Sequence, residues 1–198
     1  MPALTRKKLL APFALTASIL ILDQITKAAV VAGIKPGRIG WKALGDFFWL
    51  VHQKNTGAAF SMGDGLPEFL RIAILIVVPL ALMAGLCVYY FKTDELTYPQ
   101  RWALCGIVGG GVGNIIDRIL RPDGVIDFLS VKFYGLFGLE RWPTFNVADS
   151  AVVICGILLV VAGFFVVPGV EKAAVEKAAV DMAAAKGATV KKAAKPQA

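Results

Sequence analysis

Four aspartates, Asp23, Asp117, Asp127 and Asp149, stand in or beside stretches too apolar to solvate a carboxylate. Two carboxylates that face each other in a low-dielectric site cannot easily both ionise. One keeps a proton and the other remains a base. Such a pair can activate a water and protonate a peptide carbonyl in the same step, without a metal. Other chemistries are poorly supplied. The only histidine, His52, leaves little for a His-rich metal site and reads as a loop or interface residue. Ser61 and Ser150 have no base beside them, which weakens a serine mechanism. No metal and no cofactor are expected. Cys87, Cys105 and Cys155 lie inside apolar runs, so a disulfide or zinc framework is not expected either.

The polar residues near these carboxylates fall into short constellations. Gly110, Asn114, Asp117, Arg118 and Arg121 follow an i, i+4, i+7, i+8, i+11 pattern, one face of a helix. Asp117 adjoins Arg118, so it reads as a charge-compensated scaffold residue or as a reacting group, and spacing leaves both open. Gly106, Gly109, Gly110 and Gly113 give small-xxx-small patterns that let a second helix approach, and packing alone would explain them. Asp127 follows the turn signal Arg121-Pro122-Asp123-Gly124 within the apolar segment Val125-Ile126-Asp127-Phe128-Leu129. Asn146 and Asp149 precede an apolar run, where a helix cap is the plainer alternative for Asp149. Asn55 and Gly57 suit a tight turn and also offer hydrogen bonds to an extended peptide.

These residues need elements to hold them, and composition says in which solvent. Of 198 residues, 57% are hydrophobic and only 18% charged, which disfavours a water-soluble enzyme or a disordered chain. Four runs are long enough to cross a bilayer core: about 9–32, 69–91, 102–119 and 148–167. The predicted fold is an all-α membrane protein of four transmembrane helices. A small β-rich domain from the outer loops, 33–68 and 120–147, sits on the outer surface. Residues 1–167 form the membrane domain. Residues 168–198 form a basic Ala/Lys-rich tail, a frayed helix or disordered extension.

Helix rise places the polar groups. Asp23, Asn114 and Asp117 each lie roughly 18–22 Å along their spans in the same direction. Asp149 opens the returning fourth span, so all converge on the outer side. Lys and Arg divide almost evenly between the two sides. The basic start Arg6-Lys7-Lys8 and the basic tail favour cytoplasmic N and C termini. The first span lacks a clear cleavage site and reads as retained. The net charge of +7 reflects membrane flanks; no nucleic-acid partner is expected, since no basic patch interleaves with aromatics.

Five segments together resemble bacterial lipoprotein signal peptidase, signal peptidase II. They are Leu22-Asp23-Gln24-Ile25-Thr26-Lys27, Asn55-Thr56-Gly57-Ala58-Ala59-Phe60-Ser61, Gly109-Gly110-x-x-Gly113-Asn114-x-x-Asp117-Arg118, Val125-x-Asp127-Phe128 and Phe145-Asn146-x-Ala148-Asp149-Ser150. They occur in the family's order and reach from Asp23 to Ser150. The resemblance implies an intramembrane aspartic endopeptidase of the bacterial inner membrane that removes signal peptides from prolipoproteins. Cleavage falls before a diacylglyceryl-modified cysteine. The resemblance puts the catalytic pair on Asp127 and Asp149, a choice over Asp117 that spacing alone only favours. Asp23, Asn55, Gly57, Asn114, Arg118 and Asn146 match substrate-binding or site-shaping positions, and Asp117 a supporting one. Implied partners are lipidated prolipoproteins and membrane lipids, with the enzyme acting as a monomer. The tail is longer than the family norm, and the Lys132–Arg141 stretch reads as slightly extended.

Two rivals compete. A proton-coupled transporter also uses intramembrane carboxylates, yet it usually shows internal repeats and polar residues at the midplane, which are missing here. A non-catalytic assembly subunit would explain the glycines but not the clustered Asp and Asn residues.

Overall fold

The computed structural model of the chain describes residues 6–57, 67–121 and 123–164. Ser61 and the tail expected over 168–198 lie outside them. The chain divides into two compact units, Met1–Leu159 and Val160–Ala198. The sheet and the site lie wholly in the first.

Four helices are long and apolar enough to cross a membrane. The first, α1 (Phe13–Gly33), follows a single turn at Arg6–Leu10 and starts after Pro12, which has no N–H to leave unpaired. Its inward stripe is Ile19, Asp23, Lys27 and Val30, while Ile21, Leu22 and Ile25 face out. The second, α2 (Glu68–Lys92), contains a π-turn at Ala73–Val77. Pro79 explains it. The ring would collide with the carbonyl four residues back, at Leu75, and the wider π-turn relieves that contact.

The third helix, α3 (Tyr98–Leu120), begins four residues before the expected 102. A capping box sets that start: the Thr97 N–H donates to Gln100 Oε1 at 2.8 Å. The fourth, α4, runs over Val147–Phe164. Large apolar side chains lie exposed along α1, α2 and α4, including Val77, Leu80 and Leu82 of α2 and Val153, Ile154 and Ile157 of α4. A continuous belt of this kind is stable only against lipid or a partner.

Helix α3 is the most enclosed of the four. Its glycines set how closely its neighbours approach. A Cβ on Gly109 would lie 3.1 Å from the Thr16 Cα, and one on Gly113 would lie 3.0 Å from Asp23 Oδ2. A Cβ on Gly110 would overlap the Ala148 carbonyl. The Thr16 hydroxyl donates to the Cys105 carbonyl at 2.7 Å, tying α1 to α3. At the α2–α3 turn, the buried Arg101 donates to the carbonyls of Tyr90 and Thr93, both at 2.8 Å. These bonds satisfy the carbonyls that the end of α2 leaves free.

Three strands, β1 (Ile39–Ala43), β2 (Phe48–Asn55) and β3 (Val125–Val131), form an antiparallel sheet in that order. The sequence marked a strand in the first loop; that 125–131 is its partner is new. The β2–β3 register pairs Leu50 with Leu129 and then, across an irregularity, Gln53 with Asp127 and Asn55 with Val125. The sheet docks on the helices through Val30, Ile126 and Phe128, packed with Ile34, Leu50, Leu129 and Val147. Phe145 exchanges backbone hydrogen bonds with Leu129, at 2.8 and 3.0 Å, and so pins the entry to α4 against β3. Of the loop and interface readings of His52, the structure favours the second. His52 is a buried residue of β2, with Nδ1 2.6 Å from the Ile34 carbonyl.

The glycines of α3 give a prediction with opposite signs. Gly110→Ala must push backbone against backbone and should cost about 1–3 kcal/mol. At Gly111 the new Cβ meets only the flexible Met83 thioether, so Gly111→Ala should be neutral or gain up to about 1 kcal/mol of helix propensity. Thermal unfolding of both variants in detergent checks this. Equal midpoints would refute the packing argument.

Candidate active site

The site forms where the C-terminal half of α3, the middle of α1, the start of β3 and the start of α4 meet. Each supplies a polar residue for a local reason. Asn146 caps α4, and Asp149 is its N3 residue. The Asp149 N–H donates to Asn146 Oδ1 at 2.9 Å, and the Asn146 N–H donates to Asp149 Oδ2 at 3.1 Å. The cap alternative for Asp149 therefore holds, and it does not compete with a role in the site. One carboxylate oxygen closes the box, and the other, Oδ1, accepts from Asn114 Nδ2 at 2.7 Å.

Asp127 is buried at the start of β3. Its Oδ2 accepts from Asn55 Nδ2 at 2.9 Å and its Oδ1 from Asn146 Nδ2 at 2.8 Å. Asn146 thus touches both carboxylates, one through its side-chain nitrogen and the other through its backbone. Burial pushes the Asp127 carboxyl up to about 7. The Asn55 and Asn146 hydrogen bonds and the Lys27 charge restrain the rise, and the Asp149 charge adds to it. Asp127 therefore keeps its proton from the pH at which a free carboxyl ionises up to about 7.

Asn55 is itself held in place. Its Oδ1 accepts the Gly57 N–H at 3.1 Å, the Asx-turn that the Asn55–Gly57 spacing suggested. Gly124, with φ +97°, comes so close to the Asn55 carbonyl that a Cβ there would overlap it. The sequence marked Gly124 as a turn residue. Its contact with a site residue needed the β2–β3 pairing to become visible.

Asp117 forms its ion pairs with residues other than the adjacent Arg118. Adjacent residues point about 100° apart on a helix and do not face each other. Asp117 instead meets Lys27 Nζ at 2.9 Å and Arg121 Nη1 at 2.7 Å, and its Oδ2 accepts the Ile126 N–H at 3.3 Å. It anchors β3 to α3. Asp23 meets Lys27 Nζ at 2.8 Å, and its other oxygen accepts the Ala148 N–H at 3.0 Å, one of the free donors at the start of α4. Gln24 Nε2 donates to Asp117 Oδ1 at 3.1 Å and lies 3.2 Å from Asp23 Oδ2. Arg118 turns the other way: its Nη2 reaches only the Gly57 carbonyl, at 3.5 Å, and its buried Nε has no hydrogen-bond partner among the described residues.

All nine residues singled out from the sequence thus gather in one region. The sequence reading missed Lys27 and Gln24. Their signal was present, a lysine and an amide inside an apolar span, one helical turn from Asp23 and next to it. Among the described residues, no group of three or more His, Cys, Asp or Glu side chains is placed to hold a metal ion.

Comparison with known proteins bears on this site directly. The signal peptidase (SPase) II family matches residues 15–165. The lipoprotein signal peptidase of Treponema pallidum (strain Nichols) is 49% identical over 144 residues, covering 73% of this chain and 77% of that protein. That of Treponema denticola is 49% identical over 146 residues, covering 74% and 84%. That of Borreliella burgdorferi (strain ZS7) is 44% identical over 154 residues, covering 78% and 89%. Two solved structures, each described as a bacterial membrane enzyme studied by the in meso method, superpose with TM-scores of 0.67 and 0.64. Both are 25% identical to this chain; they cover 78% and 77% of it, and the chain covers 87% and 91% of them. The match takes in all nine site residues and reaches from the first turn of α1 through α4, and this chain belongs to the signal peptidase II family.

Proposed function

We propose that this chain is the aspartic endopeptidase that removes signal peptides from prolipoproteins, with Asp127 as the acid and Asp149 as the base. One observation carries the assignment: Asn146 bonds both carboxylates at once while burial keeps Asp127 protonated. Asp149 takes a proton from a water whose oxygen attacks the scissile carbonyl carbon. Asp127 gives its proton to the carbonyl oxygen, leaving a neutral tetrahedral diol. Collapse breaks the C–N bond. Asp149 returns its proton to the leaving nitrogen, and Asp127 recovers one from a diol hydroxyl.

The remaining residues fit substrate handling. The Arg118 Nε, without a hydrogen-bond partner among the described residues, suits a carbonyl of an extended peptide, and Asn55 and Gly57 shape the turn beside it. Cleavage falls before a diacylglyceryl-modified cysteine, whose acyl chains stay in the bilayer. The membrane is the bacterial inner membrane, with both termini cytoplasmic, the sheet on the outer surface and the site near the outer face. The exposed Tyr134, Leu136 and Phe137, in the loop after β3, together with the loop between α1 and α2, clamp the lipidated segment. Residues 1–167 are the catalytic domain and 168–198 an appended tail. One chain supplies every named group, so a monomer suffices.

Asp127→Asn and Asp149→Asn should each lower cleavage of a purified lipidated prolipoprotein at least a thousandfold, while Asp117→Asn loses less. Full activity in either of the first two would remove the dyad. The pH dependence has a definite sign. The Asp127 proton is bound below about 7 and lost above it, so kcat/KM should fall as pH rises through about 7, approaching tenfold per unit. A rate still climbing between pH 7 and 9 would reverse the acid and base roles or remove them. A photoreactive group on the substrate lipid should label residues 33–57 or 133–142. Labelling confined to the Lys92–Tyr98 side would overturn the clamp and the assigned orientation.

A further inference from the structure

We infer that Lys27 is a positioning residue whose ammonium fixes the Asn114 carboxamide so that its nitrogen points at Asp149. Lys27 is fully buried in α1 and does not touch either member of the proposed dyad. Its Nζ has three N–H donors and three acceptors: Asp23 Oδ2 at 2.8 Å, Asp117 Oδ2 at 2.9 Å and Asn114 Oδ1 at 3.0 Å. Two of these contacts balance charge. The third does not, because a carboxamide carries none.

That third bond acts on orientation. A carboxamide has an accepting end and a donating end, and a half-turn exchanges them. Asn114 Oδ1 accepts from Lys27 and also from Asn146 Nδ2, at 3.1 Å. With both donors on the oxygen, Nδ2 is left to donate to Asp149 Oδ1 at 2.7 Å. The reversed amide would set N–H groups against an ammonium and another amide, and a carbonyl oxygen against a carboxylate. Lys27 is the charged member of the pair of donors that forbids this. Asp23 and Asp117 hold the ammonium in place, and Arg121 supplies the second cation that leaves the four-residue group neutral. Through Asn114, a residue on α1 sets the hydrogen bonding of a carboxylate on α4.

The inference rests on the reading of Asp149 as the base, and its test separates the two. Lys27→Met alone would leave the buried Asp23 carboxylate without a counter-ion, so it is made together with Asp23→Asn, which keeps the group neutral with Asp117 paired to Arg121. The asparagine still offers an oxygen to the Ala148 N–H. With a synthetic diacylglyceryl prolipoprotein peptide, Lys27→Met/Asp23→Asn should lower kcat at least tenfold relative to Asp23→Asn, with KM changed less than threefold. Lys27→Gln/Asp23→Asn restores a neutral donor and should recover at least threefold of that kcat. Equal kcat in the Met and Gln doubles, or a loss confined to KM, would overturn the inference.

A measurement on the unmutated enzyme covers the case in which the Met double does not fold. Of the two Asn114 Nδ2 protons in a ¹H–¹⁵N spectrum, the one donated to Asp149 should lie downfield of a free side-chain amide and exchange slowly with solvent. An Asn114 amide with the shifts and exchange rate of a free carboxamide would also overturn the inference. Asp149→Asn is assayed in parallel. Full activity there removes the base itself, whereas an inactive Asp149→Asn beside equal doubles removes only the role of Lys27.

Discussion

An ion inside a bilayer protein must bring its own counter-ion and its own hydrogen bonds, since hydrocarbon offers neither. The structure is organised around one solution to that constraint, the Lys27 ammonium held between Asp23 and Asp117. A buried pair of this kind is no strong source of stability, because desolvation offsets most of the attraction. Loss of one partner is nevertheless severe, on the order of 3–5 kcal/mol, because the other is then stranded. Its worth lies in geometry. The group can form only where α1 and α3 run nearly in contact, and Gly109 and Gly113 permit that approach. The glycines and the charges are therefore one device: the first set the distance, and the second fix the register along it.

Each carboxylate of that device also has a second task. Asp23 accepts an N–H at the start of α4, and Asp117 accepts the Ile126 N–H at the start of β3. The two elements that bear Asp149 and Asp127 are thus attached to the same buried ion group at their first turns. Asn146 then spans the two attachments. Side chains held by such a supporting layer keep their rotamers without relying on the mobility or order of surface loops. The sheet contributes in the same sense. Pairing of Asn55 with Val125 brings Asn55 across from the start of β3, and Gly124 lets the two backbones close on each other.

Much of this was legible in the sequence because membranes make polarity informative. In a chain so apolar, Asp23, Asn114, Asp117, Asp127, Asn146 and Asp149 stand out, and helix rise is enough to bring Asp23, Asn114, Asp117 and Asp149 to one level. The spans were legible for the same reason, within a few residues, except where Thr97 and Gln100 begin α3 early. What escaped was relational. Proximity in sequence suggested Arg118 as the partner of Asp117, but the helix turns them apart, and the true partners are one turn away and on another helix. Lys27 lies inside a quoted motif, yet nothing local shows that it contacts α3. Val125–Val131 reads as an apolar segment until β2 is available to pair with it, and His52 is buried by contacts with Ile34, Gly37 and Arg38 that only the folded chain brings to it. A one-dimensional pattern records which residues are out of place in lipid; which of them meet is a property of packing.

With the proposed roles, the division of the site between helices and sheet matches the opposite needs of an acid and a base. An acid is kept protonated by withdrawing it from water, and β3, buried on the helix ends, does this for Asp127 with neutral amides as its neighbours. A base in the same low dielectric is helped to hold a charge by donors on both oxygens. A helix N-terminus supplies such donors, and Asp149 sits in one, with the Asn146 N–H on one oxygen and Asn114 on the other. Two aspartates of equal intrinsic acidity thereby stand in unlike surroundings, one bonded by two side-chain amides and the other by a backbone N–H and a side-chain amide. The difference comes from the elements that carry them, so an exchange of positions between strand and helix would alter the chemistry even with every residue retained.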